Sequence, residues 1–64
     1  MGQKALSKIK HGDKVMSCLS KGQLFFVADI QKAAGLDDKA IRLVLASLLK
    51  NNYLQNNKGQ WFIP

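Results

Sequence analysis

Residues 37–52, DDKAIRLVLASLLKNN, constrain this chain more than any other stretch. Ile41, Val44, Leu45, Leu48 and Leu49 recur at i, i+3, i+4, i+7 and i+8, the spacing that gathers one face of a 3.6-residue helix. That face predicts five buried aliphatic side chains, each contributing roughly 1.5–3 kcal/mol before conformational entropy is counted. Asp37 is placed to cap the start through its carboxylate, and Asp38 suits the positive first turn. Lys50 falls in the last turn, and Asn51-Asn52 follow; after glycine, Asn best tolerates the left-handed conformation that ends a helix. A helix this amphipathic needs other elements to cover it, so the rest of the chain must pack onto this face.

The opposite face carries the functional signal. At about 100° per residue, Lys39, Leu43, Ala46 and Lys50 point away from the buried arc, with Arg42 on one flank and Ser47 on the other. Cations and small or apolar groups thus face outward together. A solvated face with one scattered leucine would look the same; a helix presented to a partner is the sharper expectation.

The rest of the chain supplies partners for that helix. Sixty-four residues make one domain, and a chain of this length buries only about 60% of its unfolded surface. Hydrophobic residues at 47% and charged residues at 22% suit a folded protein rather than a disordered one. Residues 1–12 read as a basic N-terminal segment, with Lys4, Lys8 and Lys10 around Ala5, Leu6 and Ile9, ending at His11-Gly12. Either Leu6 and Ile9 pack on the domain, or the segment is a basic arm able to lie along phosphates. The domain proper is expected over 13–64. Asp13 looks like the cap of a helix running through DKVMSCLSK to a stop at Gly22, with Val15, Met16, Cys18 and Leu19 on one arc and Cys18 as a small buried hydrophobe.

QLFF, residues 23–26, suits a brief strand whose side chains enter the core. VADIQKAAG then reads as helical from Val27, with Val27, Ile30 and Ala34 on one face and Gly35 as its stop. Only Gly35-Leu36 separates it from Asp37, so the two helices must cross, a helix-turn-helix pattern. After the long helix, Tyr53-Leu54-Gln55 and Gln60-Trp61-Phe62-Ile63 are β-prone, and Asn56-Asn57-Lys58-Gly59 between them is turn chemistry, which together predict a hairpin. Trp61 reads as a core or hairpin-packing residue rather than a base-stacking platform, and Tyr53 as a strand residue with its hydroxyl at the rim.

The resulting α+β order, α-β-α-α-β-β, resembles the winged-helix branch of the helix-turn-helix superfamily over almost all of residues 13–63. The resemblance implies a third helix in the DNA major groove and a hairpin wing on the backbone or minor groove. The residues it implicates are Lys39, Arg42, Ala46 and Lys50 on the helix, and Asn57 and Lys58 on the wing. The run FVADIQKAAGLDDKAIRLVLASLLKNNYLQ, ending in WFI, is also similar to the winged helices that bind Z-form nucleic acids. Trp61 matches a Trp of that group. Its helix Lys, Asn and Tyr, however, fall on Asp38, Arg42 and Ala46, and its wing prolines on Lys58-Gly59. The likeness therefore supports the fold and not that ligand.

Charge points the same way without reference to a family. Ten Lys and Arg against four Asp give a net charge of +6, which favours nucleic acid or another anionic surface. Lys39, Arg42 and Lys50 suit phosphates, Arg42 can pair with a guanine edge, and Leu43 or Ala46 can meet a thymine methyl. Asp38 at the helix start counts against phosphate. The expected function is that of a small transcriptional regulator binding double-stranded DNA. The alternatives are a protein-interaction domain, as a homodimer or adaptor using the Leu43 face or the N-terminal segment, and RNA binding.

Other classes fit poorly. Four Asp, one His and one Cys are spread over the elements with no pair set for acid–base or nucleophilic work, so an enzyme is not expected. No Cys/His spacing suggests a metal, and no cofactor is implied. No apolar run is long enough to span a membrane, and no signal-peptide core follows the first lysines, so the expectation is the cytoplasm or nucleus. The opening Met1-Gly2 resembles an acylation signal, but Leu6 occupies the position that wants Ser or Thr.

Overall fold

In the computed structural model, which describes residues 3–64, the long amphipathic stretch is a helix, numbered α3 in chain order, spanning Asp38–Lys50. Asp37 caps it, accepting from the Ala40 backbone N–H at 2.7 Å, which satisfies one of the donors that a helix start leaves open. At the other end the Asn51 amide donates to the Ser47 carbonyl at 2.8 Å. Asn52 then takes the left-handed conformation, with φ 65°. This reverses the chain, and the Tyr53 N–H reaches the Leu48 carbonyl at 2.9 Å.

Ile41, Val44, Leu45 and Leu48 are buried as expected, but Leu49 is 42% exposed. The reason is angular. Eight residues on from Ile41, Leu49 has drifted about 80° around the helix, to the margin of the buried arc.

Two further helices and three strands complete the mixed α+β fold: α1 Gly12–Met16, β1 Phe25–Phe26, α2 Val27–Ala34, β2 Gln55–Asn57 and β3 Gln60–Phe62. The strands form one antiparallel sheet in the order β1-β3-β2, with the C-terminal hairpin contributing two of them. The core is wholly apolar: Ile9, Val15, Ile30, Ala34 and Leu54 close over the four buried residues of α3. Gly35 ends α2 with φ 70°, a value that favours glycine, and its N–H bonds the Gln31 carbonyl.

Five local expectations need correction. The first helix stops at Met16 rather than running to Gly22, because the Ser17 hydroxyl and the Cys18 thiol both donate back to the Lys14 carbonyl, at 2.8 and 3.2 Å. Such side-chain bonds compete with helix continuation. Cys18 is accordingly only partly buried. Asp13 lies inside the first turn and is not the cap, a position held by His11 with φ 64°. Of QLFF only Phe25 packs on the core, while Leu24 and Phe26 stand exposed. Finally, Asn56 and Asn57 belong to β2, and the turn shrinks to Lys58-Gly59.

The N-terminal segment packs on the rest of the molecule. Leu6–Lys8 form a single 3-10 turn, Ile9 is buried and Leu6 lies against the core. Ahead of it, the Lys4 N–H donates to Asn51 Oδ1 at 2.8 Å, the Tyr53 hydroxyl donates to the Lys4 carbonyl at 2.9 Å, and the Gln3 amide donates to the Asn51 carbonyl. Met1 and Gly2, on which the acylation reading rests, lie outside the described residues. No helix among the described residues is long and apolar enough to cross a membrane.

Candidate nucleic-acid interface

The burial of Ile41, Val44, Leu45 and Leu48 fixes what α3 shows to solvent. Lys39, Arg42, Leu43, Ala46 and Lys50 are all exposed, Leu43 at 62%. Taken around the axis they run Arg42, Ala46, Lys39, Lys50, Leu43, within an arc of about 100°. Taken along it, Lys39 and Lys50 are separated by about 16 Å at 1.5 Å per residue. Ala46 leaves a low point among the longer side chains, where another surface can approach the helix backbone.

Asn57 and Lys58, both exposed, sit at the end of the β2–β3 hairpin. Lys58 and Gly59 have φ of 54° and 90°, the paired positive values of the tight hairpin turn whose twist matches its strands. The Asn56 side-chain oxygen accepts from the Gly59 N–H at 3.0 Å and braces the turn. Lys58 therefore occupies the tip, as a two-residue loop requires.

The structure divides the candidate residues between two elements and brings beside one of them Lys10, from the basic N-terminal segment, and His11, which the sequence did not nominate. Lys39 and Leu43, with Ala40, Val44 and Ser47, line a cleft of about 300 Å³ whose other wall is Lys10 and His11. Burial of Ile9 and the close packing of Gly12 hold these two residues beside α3. Nothing in the periodicity of residues 1–12 signals this placement, because the left-handed turn at His11 and the docking of Ile9 are tertiary events. Arg42, Ala46 and Lys50 lie along the open side of the arc, and the hairpin residues stand apart from the cleft.

Comparison with protein-family models, with characterised proteins and with solved structures finds no match. The chemistry of the surface itself must carry the reading.

That chemistry is cationic with its acids occupied. The Asp37 carboxylate is held by the Ala40 N–H, and the Asp38 carboxylate accepts from the Gln31 side chain at 2.8 Å. The two acidic groups at the start of α3 are thus turned to structural work within the molecule, while Lys39, Arg42 and Lys50 project from the exposed arc. Asp13 and Asp29 sit in the first turns of α1 and α2, where a negative charge favours the helix dipole. Among the described residues no group of three His, Cys, Asp or Glu is gathered to hold a metal ion.

Proposed function

We propose that the chain is a winged-helix binder of double-stranded DNA and acts as a transcriptional regulator, with α3 in the major groove and the β2–β3 hairpin as a short wing on the backbone. The observation that carries this reading is the outward arc of α3, where Arg42, Lys39 and Lys50 surround the small Ala46, with Leu43 at one edge, while Ile41, Val44, Leu45 and Leu48 are turned inward. Helices enter the major groove with such a face, their cations on phosphates and a guanidinium free for a guanine edge. A net charge of +6 supplies the long-range attraction.

The test is a titration with random-sequence duplex DNA at several salt concentrations, comparing the native chain with the Lys39→Ala, Arg42→Ala double variant. Both side chains are exposed, so the fold is expected to survive. Affinity should fall steeply with salt, and the double variant should bind more weakly with a log–log salt slope smaller by about 0.9 for the phosphate contact of Lys39, and by about 1.8 where Arg42 also meets a phosphate. Unchanged binding by the double variant would move the site away from α3.

A second reading, a protein partner seated on α3, is favoured by one observation: Leu43 stands 62% exposed beside a cleft that it lines together with Ala40 and Val44 and with the charged Lys10, Asp37 and Lys39. Leu43→Gln separates the two, because it removes the exposed apolar contact without adding a negative charge to the cationic arc, so partner binding is lost while the phosphate contacts of Lys39, Arg42 and Lys50 remain.

A further inference from the structure

The sheet has an outer face that neither α3 nor the core uses. In strands, successive side chains point to opposite faces. Phe25 and Trp61 lie opposite each other in register and both pack on the core. Phe26, opposite Gln60, therefore points outward, and it is 57% exposed. Phe62, two residues beyond Gln60 on β3, shares that face and is only partly buried. Leu24, 52% exposed, continues the alternation just ahead of β1. Gln55 and Asn57, opposite Phe62 and Gln60, complete it. The face thus presents two phenyl rings, a leucine and three side-chain amides, with no charged residue among those positions.

We infer that this outer face is a stacking platform for the unpaired bases of a single-stranded nucleic acid. Phe26 and Phe62 are diagonal neighbours on adjacent strands, about 7–8 Å apart, so successive bases can each take a ring. Every base has a π-face, and stacking on aromatic side chains is the sequence-tolerant part of single-strand binding. The amides of Gln55, Asn57 and Gln60 each offer donors and an acceptor to base edges. Phosphates find their counter-charge in a chain of net +6, with Lys58 exposed at the hairpin tip beside Asn57 and Lys21 exposed in the turn leading to Leu24. A protein partner is the poorer fit. A stable protein interface needs about 800 Å² from each side, more than these six side chains supply, whereas two stacked bases need only two rings. This platform lies on a different face from the α3 arc, so it stands or falls independently of duplex binding.

The experiment is a fluorescence-anisotropy titration of labelled decathymidylate at low salt against the native chain, Phe26→Ala, Phe26→Tyr and the Lys39→Ala, Arg42→Ala double variant. Phe26 is exposed, and amide NMR spectra check that each variant keeps the fold. The native chain should bind, Phe26→Ala should bind roughly 5- to 150-fold more weakly, and Phe26→Tyr should retain affinity. Removing Phe26 on top of the double variant should give the same proportional loss, which distinguishes the platform from α3. Failure of the native chain to bind decathymidylate, or equal affinity of Phe26→Ala, overturns the inference. So does a native dimer in sedimentation that Phe26→Ala converts to monomer, since the face would then be covered by a second copy.

Discussion

The Gln31 side-chain amide donates to the Asp38 carboxylate at 2.8 Å, joining α2 to the first turn of α3 across the Gly35-Leu36 turn. One carboxylate thereby meets two needs: it favours the helix dipole, and it fixes how the two helices meet. Its charge, however, still opposes any phosphate brought to the start of α3. Asp38→Asn keeps an oxygen for Gln31 and removes only the charge. Its expected stability cost is below about 1 kcal/mol, and its affinity for duplex DNA at low salt should rise. Thermal melting together with anisotropy measures both. A fall in affinity at unchanged stability would assign the carboxylate a part in binding.

The register of α3 makes a sharper prediction about stability. Leu45 is 2% exposed and sits among buried neighbours, whereas Leu49 is 42% exposed at the margin. Leu45→Ala should cost about 2–5 kcal/mol, enough to unfold much of so small a domain, because the cavity adds to the lost transfer energy. Leu49→Ala should cost less than about 1 kcal/mol. Urea unfolding of the two variants side by side decides the matter; equal losses would mean that the buried arc is rotated toward Leu49.

These contrasts show what the sequence makes legible. The strict spacing of Ile41, Val44, Leu45 and Leu48, the cap at Asp37 and the stop at Gly35 are local signals, and each appears where its chemistry requires. The exposed cations Lys39, Arg42 and Lys50 follow from the same periodicity. Leu49 shows where the pattern loses resolution, since a hydrophobic residue at the edge of an arc has the same letter whether or not anything covers it. Phe26 shows a further limit: a two-residue strand alternates faces, and composition alone cannot tell that only Phe25 turns inward. The cleft wall at Lys10 and His11 was illegible for another reason. It depends on how the whole N-terminal turn docks, with Ile9 buried in the core and the Lys4 N–H bonded to Asn51 Oδ1 nearly fifty positions away.

Those distant contacts can be tested directly. The Tyr53 hydroxyl and the Asn51 side chain together hold Lys4 through its carbonyl and its N–H. Tyr53→Phe should cost about 0.5–1.5 kcal/mol, and Asn51→Ala should accelerate hydrogen exchange at the Lys4 amide, which loses its acceptor. The amides within α3 should keep their protection, because the core is untouched. Unchanged exchange at Lys4 would mean that packing of Leu6 and Ile9 alone secures the segment.

Gly12 is where that segment turns into α1, and the space there is nearly closed. A Cβ at this position would lie 3.0 Å from both the Ile9 Cβ and the Leu6 carbonyl oxygen, and 3.2 Å from the Leu6 Cδ1. Replacing glycine by alanine in a helix ordinarily gains up to about 1 kcal/mol. Here one of the obstructing atoms is backbone, so relief requires the 3-10 turn to move, at a cost of about 1–3 kcal/mol. The steric cost exceeds the propensity gain, and Gly12→Ala should be less stable in urea unfolding. Because Lys10 and His11 are carried on the same turn, the variant should also perturb the amide resonances of Lys39 and Leu43 across the cleft. A stabilised Gly12→Ala, with those resonances unmoved, would show that the N-terminal turn yields readily and that the cleft does not depend on it.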